Sequence, residues 1–91
     1  MKKTYTIRIP FGLQPSPALR IARTARTFPQ AVTLEINGKS YDAKSLVHLL
    51  SAGAKCGDIV TVSAEDGQAA QTVVEEIGTV LTTVKPPGYS P

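Results

Sequence analysis

The sequence has 91 residues, of which 42% are hydrophobic and 19% charged, and this predicts one small domain with a packed core. A chain of this length cannot contain a multidomain enzyme, and the composition excludes a disordered chain. The formal net charge of +3 permits an acidic partner, but it is well below that of a dedicated nucleic-acid binder. The sequence has one cysteine, Cys56, which excludes an intrachain disulfide. With only one histidine, His48, it also has too few ligands for a Cys/His zinc cluster.

The N-terminal segment predicts neither a secretory leader nor a membrane anchor. Its first three residues are basic, but residues 4–10 alternate in polarity and include Arg8, so a continuous apolar region is missing. No stretch approaches the ~20 apolar residues that a membrane span needs. We therefore expect a cytoplasmic protein without a membrane partner, and the unpaired Cys56 fits a reducing compartment.

The first third of the chain predicts a strand and a helix. Residues 5–9 alternate between apolar and polar side chains, as a half-buried strand does. Ser16-Pro17 then predicts an N-cap followed by proline at the first helical position, and Phe28-Pro29 predicts the helix end. The predicted buried face of this helix carries small and aliphatic residues, namely Ala18, Ile21, Ala22 and Ala25. Its exposed flank carries three arginines, Arg20, Arg23 and Arg26.

The middle of the chain predicts a hairpin and a short helix. Residues 32–36 alternate, and Asn37-Gly38 supplies two positive φ angles for a type I′ turn into a second strand over 39–42. Ser45 predicts the N-cap of a short apolar helix over 46–50.

The last third predicts a strand over 59–63 and a long helix opened by Asp66-Gly67. Apolar residues recur at helical spacing in this helix from Ala70 to Val84. A proline-rich tail over 86–91 follows the single predicted domain over 1–85. The element order βαββαβα predicts an α+β fold, with an antiparallel sheet and helices on one of its faces.

Residue types that carry catalysis do not form a recognisable constellation. His48 lies in an apolar helix, which disfavours a Ser-His-Asp or Cys-His arrangement, and no glycine-rich phosphate loop is present. Glu75 and Glu76 are adjacent on a predicted helix and point about 100° apart, as in a solvated face. Cys56 precedes a glycine in a turn and has no assigned role. The residues indicate a non-enzymatic module without a metal or cofactor.

Three motifs in order resemble HPr, the phosphocarrier of the bacterial sugar phosphotransferase system, over nearly the whole chain. They are residues 12–18, which read Gly-Leu-Gln-Pro-Ser-Pro-Ala, then Asn37-Gly38-Lys39, and then Ala43-Lys44-Ser45-Leu46. The resemblance implies an HPr-like open-faced β-sandwich, in which three helices cover one face of a four-stranded antiparallel sheet.

The resemblance fails at the residues that carry phosphoryl transfer. Phosphocarriers of this family read Gly-Leu-His-x-Arg-Pro-Ala, in which the histidine accepts phosphate and the arginine holds it. Gln14 and Ser16 occupy these positions, and a carboxamide cannot form the phosphorylated intermediate. We expect the helix start to keep free N–H groups for an anion, or else to be only a capped helix. The candidate anion loop is Gly12, Gln14, Ser16, Pro17 and Ala18.

The resemblance also implies a regulatory phosphorylation site at Ser45. In HPr proteins of Gram-positive type, HPr kinase/phosphorylase modifies this serine, and the product is a corepressor for a catabolite-control transcription factor. A phosphate there would lie at a helix N-terminus, where Lys44 or Lys39 could pair with it. Alternatively, Ser45 is only an N-cap. A retained serine with glutamine at the histidine position is typical of Crh, the catabolite-repression HPr of bacilli, although Crh commonly keeps the arginine that is Ser16 here.

The resemblance implies that phosphotransferase-system and regulatory proteins dock on the first two helices. The corresponding residues are Arg20, Arg23, Arg26, Leu46, Val47, His48 and Leu50, while Leu49 is expected in the core. Two alternatives stay open. One is a divergent phosphocarrier that uses another acceptor. The other is a small nucleic-acid-binding module, which the scattered aromatic residues disfavour.

Overall fold

The computed structural model describes residues 1–84, so the predicted domain end at residue 85 and the predicted tail lie outside the described residues. In chain order the elements are β1 (Lys2–Thr6), α1 (Pro15–Arg26), β2 (Val32–Ile36), β3 (Lys39–Asp42), α2 (Leu46–Ser51), β4 (Ile59–Ala64) and α3 (Ala70–Leu81). The four strands within this range form one antiparallel sheet in the order β1-β4-β2-β3. This confirms the predicted α+β class and element order. None of the helices in the described range is long and apolar enough to span a membrane.

One face of the sheet is buried and the other is open. Leu34 of β2 pairs with Val62 of β4, and both side chains are fully buried beneath the helices. On the opposite face, Thr4 and Thr61 share a hydroxyl hydrogen bond of 3.1 Å, and Glu35 is exposed. Helix α1 packs against α2 and α3, and α3 packs against β1 and β4. The predicted open-faced sandwich is therefore confirmed.

The predicted hairpin is confirmed by its backbone angles. Asn37 has φ 52° and Gly38 has φ 81°, the two positive values that a type I′ turn needs. The turn joins Ile36 to Lys39, which are directly paired.

Helix α1 begins two residues before the predicted start, so the prediction of Ser16 as its N-cap is wrong. Gln14 is the N-cap, with φ −78° and ψ 170°, and Pro15 is the first helical residue. A residue before proline avoids the helical region, and the fixed φ of proline suits the first helical position, so Pro15 sets the boundary. Ser16 consequently lies inside the first turn.

Three other predicted boundaries also move. Strand β1 ends at Thr6 rather than at Ile9, because the regular pairing with β4 stops after Ile7: its N–H still donates to Asp58, but its carbonyl accepts the N–H of Gly57 instead of that of Asp58 (both 2.8 Å). Helix α3 begins at Ala70 rather than at Asp66-Gly67, because Ala69 adopts a left-handed φ of 72°. It ends at Leu81, so Val84 is exposed instead of continuing the buried face.

Gly78 allows β1 and α3 to approach each other closely. It is buried in α3, and a Cβ atom built on it would overlap the ring of Tyr5 in β1. The Tyr5 hydroxyl lies 3.5 Å from the carbonyl oxygen of Val74, one turn earlier in the same helix. The glycine therefore has a packing role that outweighs its low helix propensity.

We expect Gly78→Ala to destabilise the fold by about 1–3 kcal/mol, because the added methyl group must displace the Tyr5 ring. Chemical denaturation measures this free energy of unfolding. Thr72→Ala on the exposed face of α3 is the control, and it should change stability by less than about 0.5 kcal/mol. Tyr5→Leu combined with Gly78→Ala should cost less than the sum of the single changes. A stabilised Gly78→Ala variant would contradict this packing.

Candidate functional site at the first turns of α1 and α2

The loop before α1 rests on the chain segment after α2. The N–H of Leu13 donates to the carbonyl of Ala54 at 3.0 Å. Gly12 has a positive φ of 73°, and a Cβ atom on it would overlap the same carbonyl. Only glycine fits this position without strain. The loop is thereby fixed against the body of the protein, and it holds the start of α1 in place.

Gln14 caps α1 through its backbone, and its side chain turns away from the helix. The Gln14 carbonyl accepts the N–H of Ala18 at 3.0 Å. The Gln14 Nε2 group donates to the carbonyl of Phe11 at 3.1 Å, and the side chain makes no cap hydrogen bond. The exposed carboxamide thus stabilises its own loop.

The first turn of α1 offers few donors to a ligand. Pro15 and Pro17 have no N–H, and the N–H of Ala18 is already bonded to Gln14. Among positions 15–18 this leaves only the Ser16 N–H. The expectation that residues 16–18 present several free N–H groups is therefore wrong, because every second residue of the turn is proline. An anion would find one backbone donor, and residue 16 itself carries a hydroxyl group instead of a guanidinium group.

Ser45 is the N-cap of α2, as the sequence predicts. Its Oγ atom accepts the N–H of His48 at 3.1 Å, and its backbone has extended angles of φ −105° and ψ 111°. The Ser45 carbonyl accepts the N–H of Leu49, and the Ser45 N–H donates to the carbonyl of Asp42, both at 3.0 Å. The side chain is half-buried at the start of the helix, with its hydroxyl oxygen in the cap.

Arg26 braces the loop that carries Ser45, a role that the sequence reasoning missed. Its Nε group donates to the carbonyl of Lys44 at 2.8 Å, which ties the last turn of α1 to the start of α2. The Asp42 carboxylate accepts the N–H of Lys44 at 2.9 Å from the other side. The residues that surround Ser45 are thus held by two helices and the end of β3.

The His48 imidazole folds back from α2 onto the end of β3. Its Nδ1 atom accepts the N–H of Asp42 at 3.0 Å, and its ring packs edge-on against Tyr41 with centroids 5.0 Å apart. The residue as a whole is exposed. Its contacts link the edge strand to the first turn of α2, and sequence spacing alone offered no signal for them.

The predicted docking residues differ in exposure. Leu49 is fully buried, as expected, while Val47 is 78% and Leu50 38% exposed. Leu46 is half-buried. The arginines of α1 are exposed, and α1 and α2 pack side by side. Phe11, which is 74% exposed, lies three residues before Gln14 in the loop that leads to α1; an aromatic residue beside the loop glycine was the available signal for it.

The remaining candidate residues form no catalytic group. Glu75 pairs with Lys3 at 2.6 Å on the surface, and this hydrogen bond, followed by one from Gln71, lowers the pKa of Glu75. The same bond raises the pKa of Lys3.

Glu76 instead lines an open cleft of about 300 Å³ between α1 and α3, together with Arg20, Thr24, Thr79 and Val80. Within residues 1–84, no cluster of three His, Cys, Asp or Glu residues could hold a metal, and Cys56 is exposed.

Comparison with known proteins assigns the chain to a family. A family model described as the phosphotransferase-system HPr component phosphorylation site matches residues 1–83. The chain belongs to the HPr family. The resemblance carried by its three motifs is thus confirmed.

Individual relatives agree with this assignment. The phosphocarrier protein HPr of Buchnera aphidicola is 32% identical over 79 residues, which are 87% of this chain and 92% of that protein. The multiphosphoryl transfer protein of Xanthomonas campestris is 39% identical over 80 residues, which are 88% of this chain but only 9% of that longer protein. The crystal structure of the Bacillus subtilis catabolite-repression protein Crh is 31% identical, with a TM-score of 0.69 over 88% of this chain and 91% of Crh.

Proposed function

We propose that this HPr-family chain is a regulatory protein of the phosphotransferase system and carbon catabolite control, and not a histidine phosphocarrier. In this proposal Ser45 is its phosphorylation site, and it acts through protein contacts without being an enzyme. The observation that carries the proposal is the first turn of α1. Gln14 stands at the position where phosphocarriers have histidine, and its carboxamide is bonded to Phe11.

Three features of this turn argue against phosphoryl transfer. A carboxamide has no nucleophilic nitrogen comparable to imidazole. Ser16 lacks the guanidinium fork that would hold a phosphate in two hydrogen bonds. Pro15 removes a backbone donor from the helix start, in addition to the one already absent at Pro17, the proline that the phosphocarrier motif also has. Each loss affects a different part of the chemistry, so one compensating change would not restore the carrier.

The surroundings of Ser45 favour modification. A phosphate on its Oγ atom would add about −1.5 to −2 charges at a helix N-terminus, which the helix dipole stabilises. Lys44 is adjacent, and Arg26 is already held on the Lys44 carbonyl at 2.8 Å. The cap does not depend on a free hydroxyl hydrogen, because Ser45 accepts the N–H of His48. The modified side chain can therefore remain the cap.

The exposed surface beside Ser45 is suited to a protein partner. Val47 and Leu50 present aliphatic side chains, and the neighbouring helix α1 presents the three arginines. Aliphatic residues desolvate the centre of an interface, and arginines bind carboxylates at its rim. We propose HPr kinase/phosphorylase and a catabolite-control transcription factor as the partners that use it.

Intact-mass spectrometry should show one phosphate on Ser45 after incubation with ATP and an HPr kinase/phosphorylase. Ser45→Ala should take up none, while Ser51→Ala, another serine of α2, should be modified normally. Incubation with phosphoenolpyruvate and the first enzyme of the phosphotransferase system should add no phosphate. Transfer from phosphoenolpyruvate to His48 would instead support a divergent phosphocarrier, and no phosphate from either source would contradict the regulatory proposal.

Restoring the histidine alone should restore little phosphoryl transfer. We expect Gln14→His to accept phosphate from phosphoenolpyruvate slowly, because the guanidinium at position 16 and the backbone donor at position 15 are still absent. Adding Pro15→Thr and Ser16→Arg should raise the rate about 10²-fold, the usual effect of supplying donors to developing negative charge. Rapid-quench phosphorylation assays measure both rates. Equal rates for the single and triple variants would show that the first turn does not limit transfer.

Val47→Asp should weaken partner binding without loss of stability. We expect the KM of the kinase for this variant to rise about tenfold, as for loss of an interface anchor, while an acidic residue in the first turn of α2 favours the helix. Ile59→Asp is the matched control, since Ile59 is a similarly exposed aliphatic residue (61%) on β4. If both variants had the same KM, the docking surface would not be on α2.

A further inference from the structure

His48 occupies a special place relative to Ser45. It is the third residue of α2, and in this position a side chain can reach back over the N-cap, as glutamate does in a capping box. Here the imidazole reaches Asp42, at the end of β3, and accepts its N–H at 3.0 Å. The Ser45 Oγ atom meanwhile accepts the backbone N–H of the same histidine at 3.1 Å. One residue thus contacts both the proposed modification site and the edge strand.

The bond to Asp42 fixes the protonation state of the ring. A nitrogen that accepts a hydrogen bond must carry a lone pair, so Nδ1 is unprotonated and the ring proton is on Nε2. A protonated imidazole has two donors and no acceptor, and it could not receive the Asp42 N–H. The contact exists only while His48 is neutral, and histidine is the side chain that ordinarily changes charge between pH 5 and 8.

The groups around the ring decide what a phosphate would do. From β3, the Asp42 N–H and the Tyr41 ring contact it, and the Asp42 carboxylate accepts the N–H of Lys44. From α1, Arg26 reaches the carbonyl of Lys44 in the connecting loop. A phosphate on Ser45 would add a charge of about −1.5 to −2 three residues before His48, and it would favour the imidazolium form.

We propose that His48 transmits the modification of Ser45 to the edge strand. When Ser45 is unmodified, His48 is neutral and holds the Asp42 N–H. When Ser45 carries a phosphate, His48 takes up a proton from solvent, turns its ring N–H groups to the phosphate and releases Asp42. This inference rests on the proposed phosphorylation of Ser45. It adds a pH-sensitive readout on the surface where β3 meets α2, beside Val47.

Two substitutions of Ser45 preserve the N-cap of α2, and they can test the coupling without a kinase. Aspartate and asparagine are both good N-caps, but only aspartate is charged, so Ser45→Asp and Ser45→Asn form a matched pair. NMR spectroscopy follows the His48 ring nitrogens and the Asp42 amide proton as the pH is changed. At a given pH near neutrality, the ratio of protonated to neutral His48 should be about two- to fivefold higher in Ser45→Asp than in Ser45→Asn.

The Asp42 amide signal should change over the same pH range as the ring in each variant, and it should be independent of that transition in His48→Ala. Identical histidine titrations in the aspartate and asparagine variants would overturn the coupling. If the Asp42 amide signal did not change when His48 is protonated, the proposed release of Asp42 would be wrong. Because neither variant needs phosphorylation, such a failure is distinct from a failure of the kinase assay, which tests the proposed function.

Discussion

One-sided burial of the sheet is the constraint on which the rest of the structure depends. Strands β2 and β4 alternate strictly, and the fully buried Leu34 and Val62 are directly paired at the centre of the apolar face. All three helices pack on that side, so the start of α1 and the start of α2 open from the same layer. The loop before α1 contacts the segment after α2, and the last turn of α1 contacts the loop before α2, so the two candidate sites lie at opposite ends of this helix pair.

The two helix starts differ chemically because one of them contains prolines. At α1, Pro15 sets the boundary and, with Pro17, removes donors that an anion would use. At α2, an ordinary serine cap leaves a hydroxyl oxygen among cationic and hydrogen-bonding groups. In the proposed function, the phosphate is therefore carried at the start of α2, where no nucleophilic histidine is needed.

Patterns local in sequence were predictable, and contacts across the fold were not. Asn37-Gly38 and Ser45 act through neighbouring backbone groups, so spacing was sufficient to predict their roles. The start of α1 was misplaced because two prolines compete for the first helical position, and only the extended Gln14 decides between them. The contacts of Arg26 with Lys44 and of His48 with Asp42 join different elements. Such contacts cannot be predicted from the spacing of residues in one sequence.

The hydrogen bond from Arg26 to the Lys44 carbonyl fixes the backbone of the loop before α2 without using the charge of the Lys44 side chain. A main-chain acceptor is present whatever side chain occupies position 44, so the brace places no demand on the lysine. A substitution at position 44 would therefore change the charge beside Ser45 and leave this hydrogen bond in place.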